Sequence, residues 1–536
     1  MLKAPPFALA HRAALLTFLL ALLLAAPASA QVTTAAGQTA TGAFYVAAVP
    51  DGWQPGDGLV IWNHGFDLDP IGPDVDLGPL VDLQLSQGFA VLASSYSQVG
   101  WAVFQVVDDL EQAVDAFEQR FGVPGSVYVT GASLGGIVTV LAIEQAELGN
   151  VVGALPICGV LGGSRTWDGG FDFRMVYDAV CSEVPGANIP GGPTGLPFPP
   201  DPNFGPDQIV GAADVCFGLF AGPAGRSAEQ QARLDSFLNV TQIPESFIAV
   251  DLPFVTLGLA DLIFDPNKLN FGQGVGNATT VYGDAEIDAN IQRVPFDPAA
   301  RQLLVDNYTP TGRVGDVKIV GLHTDKDGLI VYEHSTDYAG IVPAQNITMG
   351  IVVEETPTHC GFTAAETAGA WESLRAWVAG APQPPVAQLQ ATCEAIAAGG
   401  LAAGPCRIDP DFVPQDLNVR IRPRQVCAPD DQTLCLNGGR FQVRSEWRDF
   451  DDNVGVGRVI PQTDDSGSFY FFGPENIELI VKALDGRQNN GNFWLFYGAL
   501  SNVEYTITVV DTETGLSRTY FNPLGNFASV GDTSAF

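Results

Sequence analysis

Ser126 to Glu144 reads SVYVTGASLGGIVTVLAIE, and the fold turns on this stretch. Val127, Tyr128, Val129 and Thr130 form a β-branched and aromatic run suited to a buried strand. Gly131-Ala132-Ser133-Leu134-Gly135-Gly136 follows, and the apolar run Ile137–Ile143 then starts a helix. Strand, G-x-S-x-G and helix in this order place a serine on a tight, strained turn. The residues two before and two after it must lack side chains that would collide with strand or helix. The Ser133 hydroxyl then projects above the sheet edge. The Leu134 amide, at the helix N-terminus, points to where a negative oxygen would develop.

On these residues the chain resembles the α/β-hydrolase superfamily of serine hydrolases. The flanking sequence fits an α/β class. Ala43–Val49, Gly58–Trp62 and Phe89–Ser94 read as strands, Val106–Phe117 has apolar residues at helical spacing, and Val151–Ile157 reads as the next strand. Apolar strands alternating with helices indicate a parallel sheet covered on both faces. Gly58–Trp62 runs into Asn63-His64-Gly65-Phe66. The resemblance implies that His64 and Gly65 shape an oxyanion loop, with the Phe66 amide as the second donor beside Leu134.

From Gly159 to about Gly315 the strand–helix rhythm stops, and Pro190–Pro206 reads PGGPTGLPFPPDPNFGP. An insertion of that length between strands suits a lid or cap, and the superfamily places such insertions after its sixth strand. Phe217, Phe220, Phe237, Phe247, Phe254 and Phe264 either line that cap or form its own small core. Regular structure resumes with the strands Val317–Leu322 and Ile347–Glu354 and the helix Ala364–Val378. Residues 382–424, rich in Pro and Ala, are expected to wrap back over the hydrolase. From Gln425 short alternating strands (Phe441–Trp447, Phe469–Phe472, Glu478–Leu484, Phe493–Tyr497, Tyr505–Val510) read as an antiparallel β-sandwich. The expected division is a signal peptide at 1–30, a hydrolase domain at 31–424 with its cap at about 160–315, and a β-sandwich domain at 425–536. That domain carries no catalytic pattern; Asp449, Asp451, Asp452 and Asn453 read as a solvated acidic loop rather than a calcium site.

A serine nucleophile needs a base, and the base an orienting acid. Of five histidines, His11 leaves with the signal, His64 lies in the oxyanion loop, His323 precedes the acid, and His334 starts the next helix. His359 follows the last strand, where the superfamily places its base; His334 is the alternative. Asp327 opens the run Asp327-Gly-Leu-Ile-Val, which resembles the D-x-[LIV]-[VI] stretch after the seventh strand. Asp325, two residues earlier, is the alternative acid. Ser133, Asp327 and His359 follow the superfamily's Ser–acid–His order. The pair His359-Cys360 also resembles the tannase and feruloyl esterase family. There a cysteine precedes the nucleophile, whereas here Ala132 does, so that family's specificity does not carry over.

Composition sets the compartment. Lys3, His11 and Arg12, an apolar core at Ala13–Ala26 and Ala28-Ser29-Ala30 form a secretory signal, with no second apolar run expected to cross a bilayer. Eight cysteines in an exported chain point to disulfides. Local spacing pairs Cys181 with Cys216, Cys393 with Cys406 and Cys427 with Cys435. Cys158 and Cys360 remain, and under the hydrolase reading both fall at the ends of neighbouring strands. No C-x-x-C or H-x-x-x-H pair is present, and neither a metal nor a cofactor is expected. A net charge of −35, from 60 acidic and 25 basic residues, repels nucleic acid. The expected function is a secreted, periplasmic or cell-surface serine hydrolase of small or polymeric carboxylic esters, of unspecified oligomeric state. A peptidase or amidase with the same triad, or a non-catalytic cell-surface binding protein, are the alternatives.

Overall fold

Strands β1 (Val32–Gln38), β2 (Phe44–Pro50), β3 (Gly58–Asn63), β4 (Ala90–Ser94), β5 (Ser126–Ala132), β6 (Val151–Ile157), β7 (Lys318–Thr324) and β8 (Ile347–Val352) form one sheet. Their spatial order is β1-β2-β4-β3-β5-β6-β7-β8. From β4 to β8 every pairing is parallel, while β2 runs antiparallel to both β1 and β4. The computed structural model describes residues 32–181, 183–191, 203–414 and 427–536. The expected signal peptide, most of the Pro-Gly run and the end of the wrapping tail lie outside the described residues.

The described residues up to Leu161 with Pro310–Pro414 form one compact unit, and those of Gly162–Thr309 with Gln415–Phe536 form a second. In the first, β4 is buried at all five positions, as a strand sandwiched between helices must be. The helix Ala364–Val378 packs on the sheet through Trp371, whose ring meets Phe89 at 5.5 Å and Tyr128 at 5.2 Å, both edge-on. Thr363 and Glu366 form the capping box that starts this helix. After it, the helix Val386–Ala398 leads to a return segment that covers the open edge of β8. The Val353 amide donates to Arg407 O and the Asp409 amide to Ile351 O, each at 2.9 Å.

In the second unit the insertion is helical: Ser164–Cys181, Pro206–Phe217, Ala228–Thr241, Ile248–Phe264 and Pro298–Tyr308 are its longer helices. Phe217, Phe237 and Phe247 are buried, and Phe237 meets Phe217 at 5.0 Å and Phe173 at 5.1 Å. These rings form the insertion's own core, whereas Phe220 is 75% exposed. Two buried cations have acidic partners: Arg301 forks onto Asp168 at 2.8 and 2.9 Å, and Lys268 holds Asp261 at 2.5 Å. The segment Glu245–Phe264 is long and apolar enough to cross a membrane, which the expectation of no second such run overlooked. It is mostly buried within the fold, as a core helix would be.

Residues beyond 427 form two five-stranded antiparallel sheets. Phe441, Val443, Ile507 and Val509 from one and Leu479, Val481, Phe493 and Leu495 from the other share a single apolar core. The chain is thus a mixed α/β sheet with helices, followed by separate all-antiparallel sheets.

Candidate active site

Ser133 sits between β5 and the helix Leu134–Gln145 with φ +56° and ψ −121°. A non-glycine residue held there stores roughly 1–3 kcal/mol of backbone strain, which the surrounding structure must offset. The flanking glycines are obligatory. A Cβ on Gly131 would lie 2.2 Å from Gly135 O, and one on Gly135 would lie 1.9 Å from Asn63 O. The Ser133 amide donates to Ile157 O at 3.1 Å, tying the turn to β6.

The structure brings His359 and Asp327 to Ser133. The distance from Ser133 Oγ to His359 Nε2 is 2.9 Å, and from His359 Nδ1 to Asp327 Oδ2 it is 2.8 Å. A carboxylate oxygen accepts, so Nδ1 carries the proton and Nε2 is left to accept from the serine hydroxyl. Asp327 follows β7 and is buried; its Oδ1 accepts the Leu329 and Ile330 amides at 3.0 Å each. Asp325 faces elsewhere, its Oδ1 accepting the Glu354 amide at 2.8 Å. His334 is buried in the helix Glu333–Ile341. His323, on β7, is fully buried and bonds Ser335 and Ile330.

The loop after β3 lies against the serine: a Cβ on Gly65 would be 3.5 Å from Ser133 Cβ. His64 donates from Nδ1 to Gly65 O at 2.8 Å, and its ring stacks on Tyr96 at 4.1 Å. Tyr96, at φ +55° and fully buried, donates its hydroxyl to His64 O at 3.1 Å. Burial and the nearby Asp109 carboxylate push the Tyr96 phenol well above its usual range, so it stays a donor. Phe66 follows, its ring tilted toward Trp101 at 6.3 Å. Leu134 opens the helix behind Ser133. The amides of both residues therefore belong to segments flanking the serine.

Four disulfides join Cys158 to Cys360, Cys181 to Cys216, Cys393 to Cys406 and Cys427 to Cys435, and they leave no free cysteine among the described residues. Such a set suits an oxidising, extracellular compartment. Asp327, His359 and Cys360 converge closely enough for a metal, but the Cys360 sulfur is committed to its disulfide and offers no thiolate. The residues do not fit a metal centre.

Sequence reasoning passed over Tyr96, Glu354 and Thr358. Glu354 is 3% exposed and accepts the hydroxyl of Thr358, the residue before His359, and the Thr358 amide at 3.3 Å. Burial pushes its carboxyl above the usual range, against the pull of these bonds. An acid at the end of an otherwise apolar strand was the available signal for Glu354; Tyr96 had none.

The sheet, with the serine after its fifth strand, the acid after its seventh and the imidazole after its eighth, makes this an α/β-hydrolase-like fold. No protein-family model and no curated protein matches the chain. Among solved structures it is similar to the rice cell wall degrading esterase LipA from Xanthomonas oryzae, at 16% identity and a TM-score of 0.32 over 63% of this chain and 87% of that one. It is also similar to feruloyl esterase B from Aspergillus oryzae (13%, 0.35, 67% and 84%) and to the Pyrococcus furiosus esterase Pf2001 (12%, 0.29, 62% and 84%).

Proposed function

We propose that the chain is a secreted serine hydrolase that cleaves carboxylic esters through an acyl-enzyme on Ser133. The observation that carries this reading is the hydrogen-bonded line Asp327–His359–Ser133 at 2.8 and 2.9 Å, ending on a serine in a strained turn. His359 Nε2 takes the Ser133 proton as Oγ attacks the ester carbonyl. The Leu134 and Phe66 amides hold the oxygen that becomes negative. As the tetrahedral adduct collapses, the carbon–oxygen bond to the alcohol breaks and His359 returns its proton to the leaving alkoxide. Water then repeats the sequence, releasing the acid and restoring the serine. Asp327 fixes the Nδ1–H tautomer and stabilises the transient imidazolium.

The insertion at about 160–315 is proposed as the substrate-selecting cap, and 425–536 as an accessory β-sandwich. Four disulfides support export. Hydrolysis of a p-nitrophenyl ester series and of the matching anilides tests the reading. The wild type should cleave the esters, and Ser133→Ala should lose at least about a thousandfold in kcat. Equal rates in the two proteins would end the proposal, and faster cleavage of the anilides would favour an amidase.

A further inference from the structure

We propose that His323 is a positioning residue for the Asp327 carboxylate, acting as a neutral imidazole locked in one tautomer. The inference rests on the triad reading above but concerns residues outside the triad. His323 is fully buried on β7, with Nε2 2.7 Å from Ile330 O and Nδ1 2.7 Å from Ser335 Oγ. A carbonyl oxygen can only accept, so Nε2 carries the hydrogen. Burial holds the ring's proton affinity below its usual range, in spite of Asp327 nearby. The ring is therefore neutral, Nδ1 is a lone pair, and the Ser335 hydroxyl must donate to it.

The consequence falls on Ile330, which is held at both ends. Its carbonyl accepts from His323, while its amide donates to Asp327 Oδ1 at 3.0 Å. The turn from 327 to 330 cannot shift without breaking the imidazole's bond. With Oδ1 fixed, Oδ2 is aimed at His359 Nδ1. His323 Nε2 lies 3.8 Å from the same Oδ2, too far for a hydrogen bond. A second cation at that distance would compete with His359 for the carboxylate. A neutral His323 adds no competing positive charge beside the carboxylate when the His359 imidazole accepts the serine proton. The Ile330 carbonyl sets the tautomer, Ser335 fixes the rotation of the ring, His323 sets the turn, and the turn sets the acid.

The test compares His323→Leu, which removes the donor, His323→Gln, which keeps an N–H near the same place, and Ser335→Ala, which removes only the hydroxyl that anchors the ring at Nδ1. With p-nitrophenyl butyrate, His323→Leu and Ser335→Ala should lower kcat by roughly tenfold to a hundredfold with KM unchanged to within about twofold, and His323→Gln should recover most of the loss. If His323→Leu does not fold, Ser335→Ala carries the test. Wild-type kcat in folded His323→Leu or Ser335→Ala, or Gln as impaired as Leu, would overturn the inference. Imidazole 15N shifts of the wild type separate this claim from the enzyme reading. An Nε2–H tautomer of His323 supports the lock whether or not the protein hydrolyses esters, and a charged or Nδ1–H ring refutes it.

Discussion

Cys360 Sγ lies 3.4 Å from Nε2 of His359, and the same sulfur is bonded to Cys158, 202 residues earlier in the chain. The disulfide fastens the loop that carries the imidazole to the end of β6, next to the strand that delivers Ser133. Cys158 is itself set by its amide, which donates to Leu322 O on β7 at 2.8 Å. The Cys158→Ser/Cys360→Ser pair should therefore lose about 2–5 kcal/mol of stability, because so long a loop is closed by the bond. Chemical denaturation read by fluorescence measures this; an unchanged midpoint would contradict it.

Gly135→Ala tests the crowding that makes the turn at Ser133 possible. Its Cβ would sit 1.9 Å from a backbone oxygen, which cannot move without displacing the loop at Asn63 and His64. Overpacking of this kind costs about 1–3 kcal/mol or more. We expect a lower melting temperature and loss of ester hydrolysis together. A variant with wild-type values of both would show that the turn has slack.

Glu354 should give the stability of the fold a pH dependence. Burial raises its carboxyl above the value it has in the unfolded chain, so the folded state binds the extra proton between those two values. Stability from this group is present at acid pH and is lost as pH rises through that window. Glu354→Gln, permanently neutral, should gain on the wild type as pH rises from about 4, where an unfolded glutamate ionises. Paired melting curves from pH 4 to 8 read the difference; a gap that shrinks with pH would reverse the sign.

Arg301 and Asp168 are both buried and face each other as a bidentate pair. Arg301→Leu leaves a buried carboxylate without that partner and should cost about 3–5 kcal/mol. The double variant with Asp168→Leu should recover a large part. A single variant as stable as the wild type would argue that water reaches the pair.

Parts of this fold were plain in the sequence because their constraints are local. G-x-S-x-G demands glycine at fixed offsets, and Val151–Ile157 and Ala364–Val378 have the ranges expected of them. β1 escaped notice: VTTAAGQ is an exposed edge strand with one buried position and no apolar alternation. The insertion's helices were hidden for the opposite reason. Ile248–Phe264 is apolar on nearly every face and carries Pro253, so no 3.6-residue period marks it. Ser133 and His359 could be paired through chain order, and Asp327 preferred over Asp325 through a short motif. The bonds of His323 could not be foreseen, because they depend on Ile330 and Ser335 folding back over the end of β7.

Labelling with a fluorophosphonate, followed by peptide mass analysis, tests the central claim most directly. The account predicts one adduct, on Ser133, formed rapidly by the wild type and lost or greatly slowed in His359→Ala. Ser133 left unmodified while the folded protein still hydrolyses esters, or labelling at full rate without the imidazole, would contradict it.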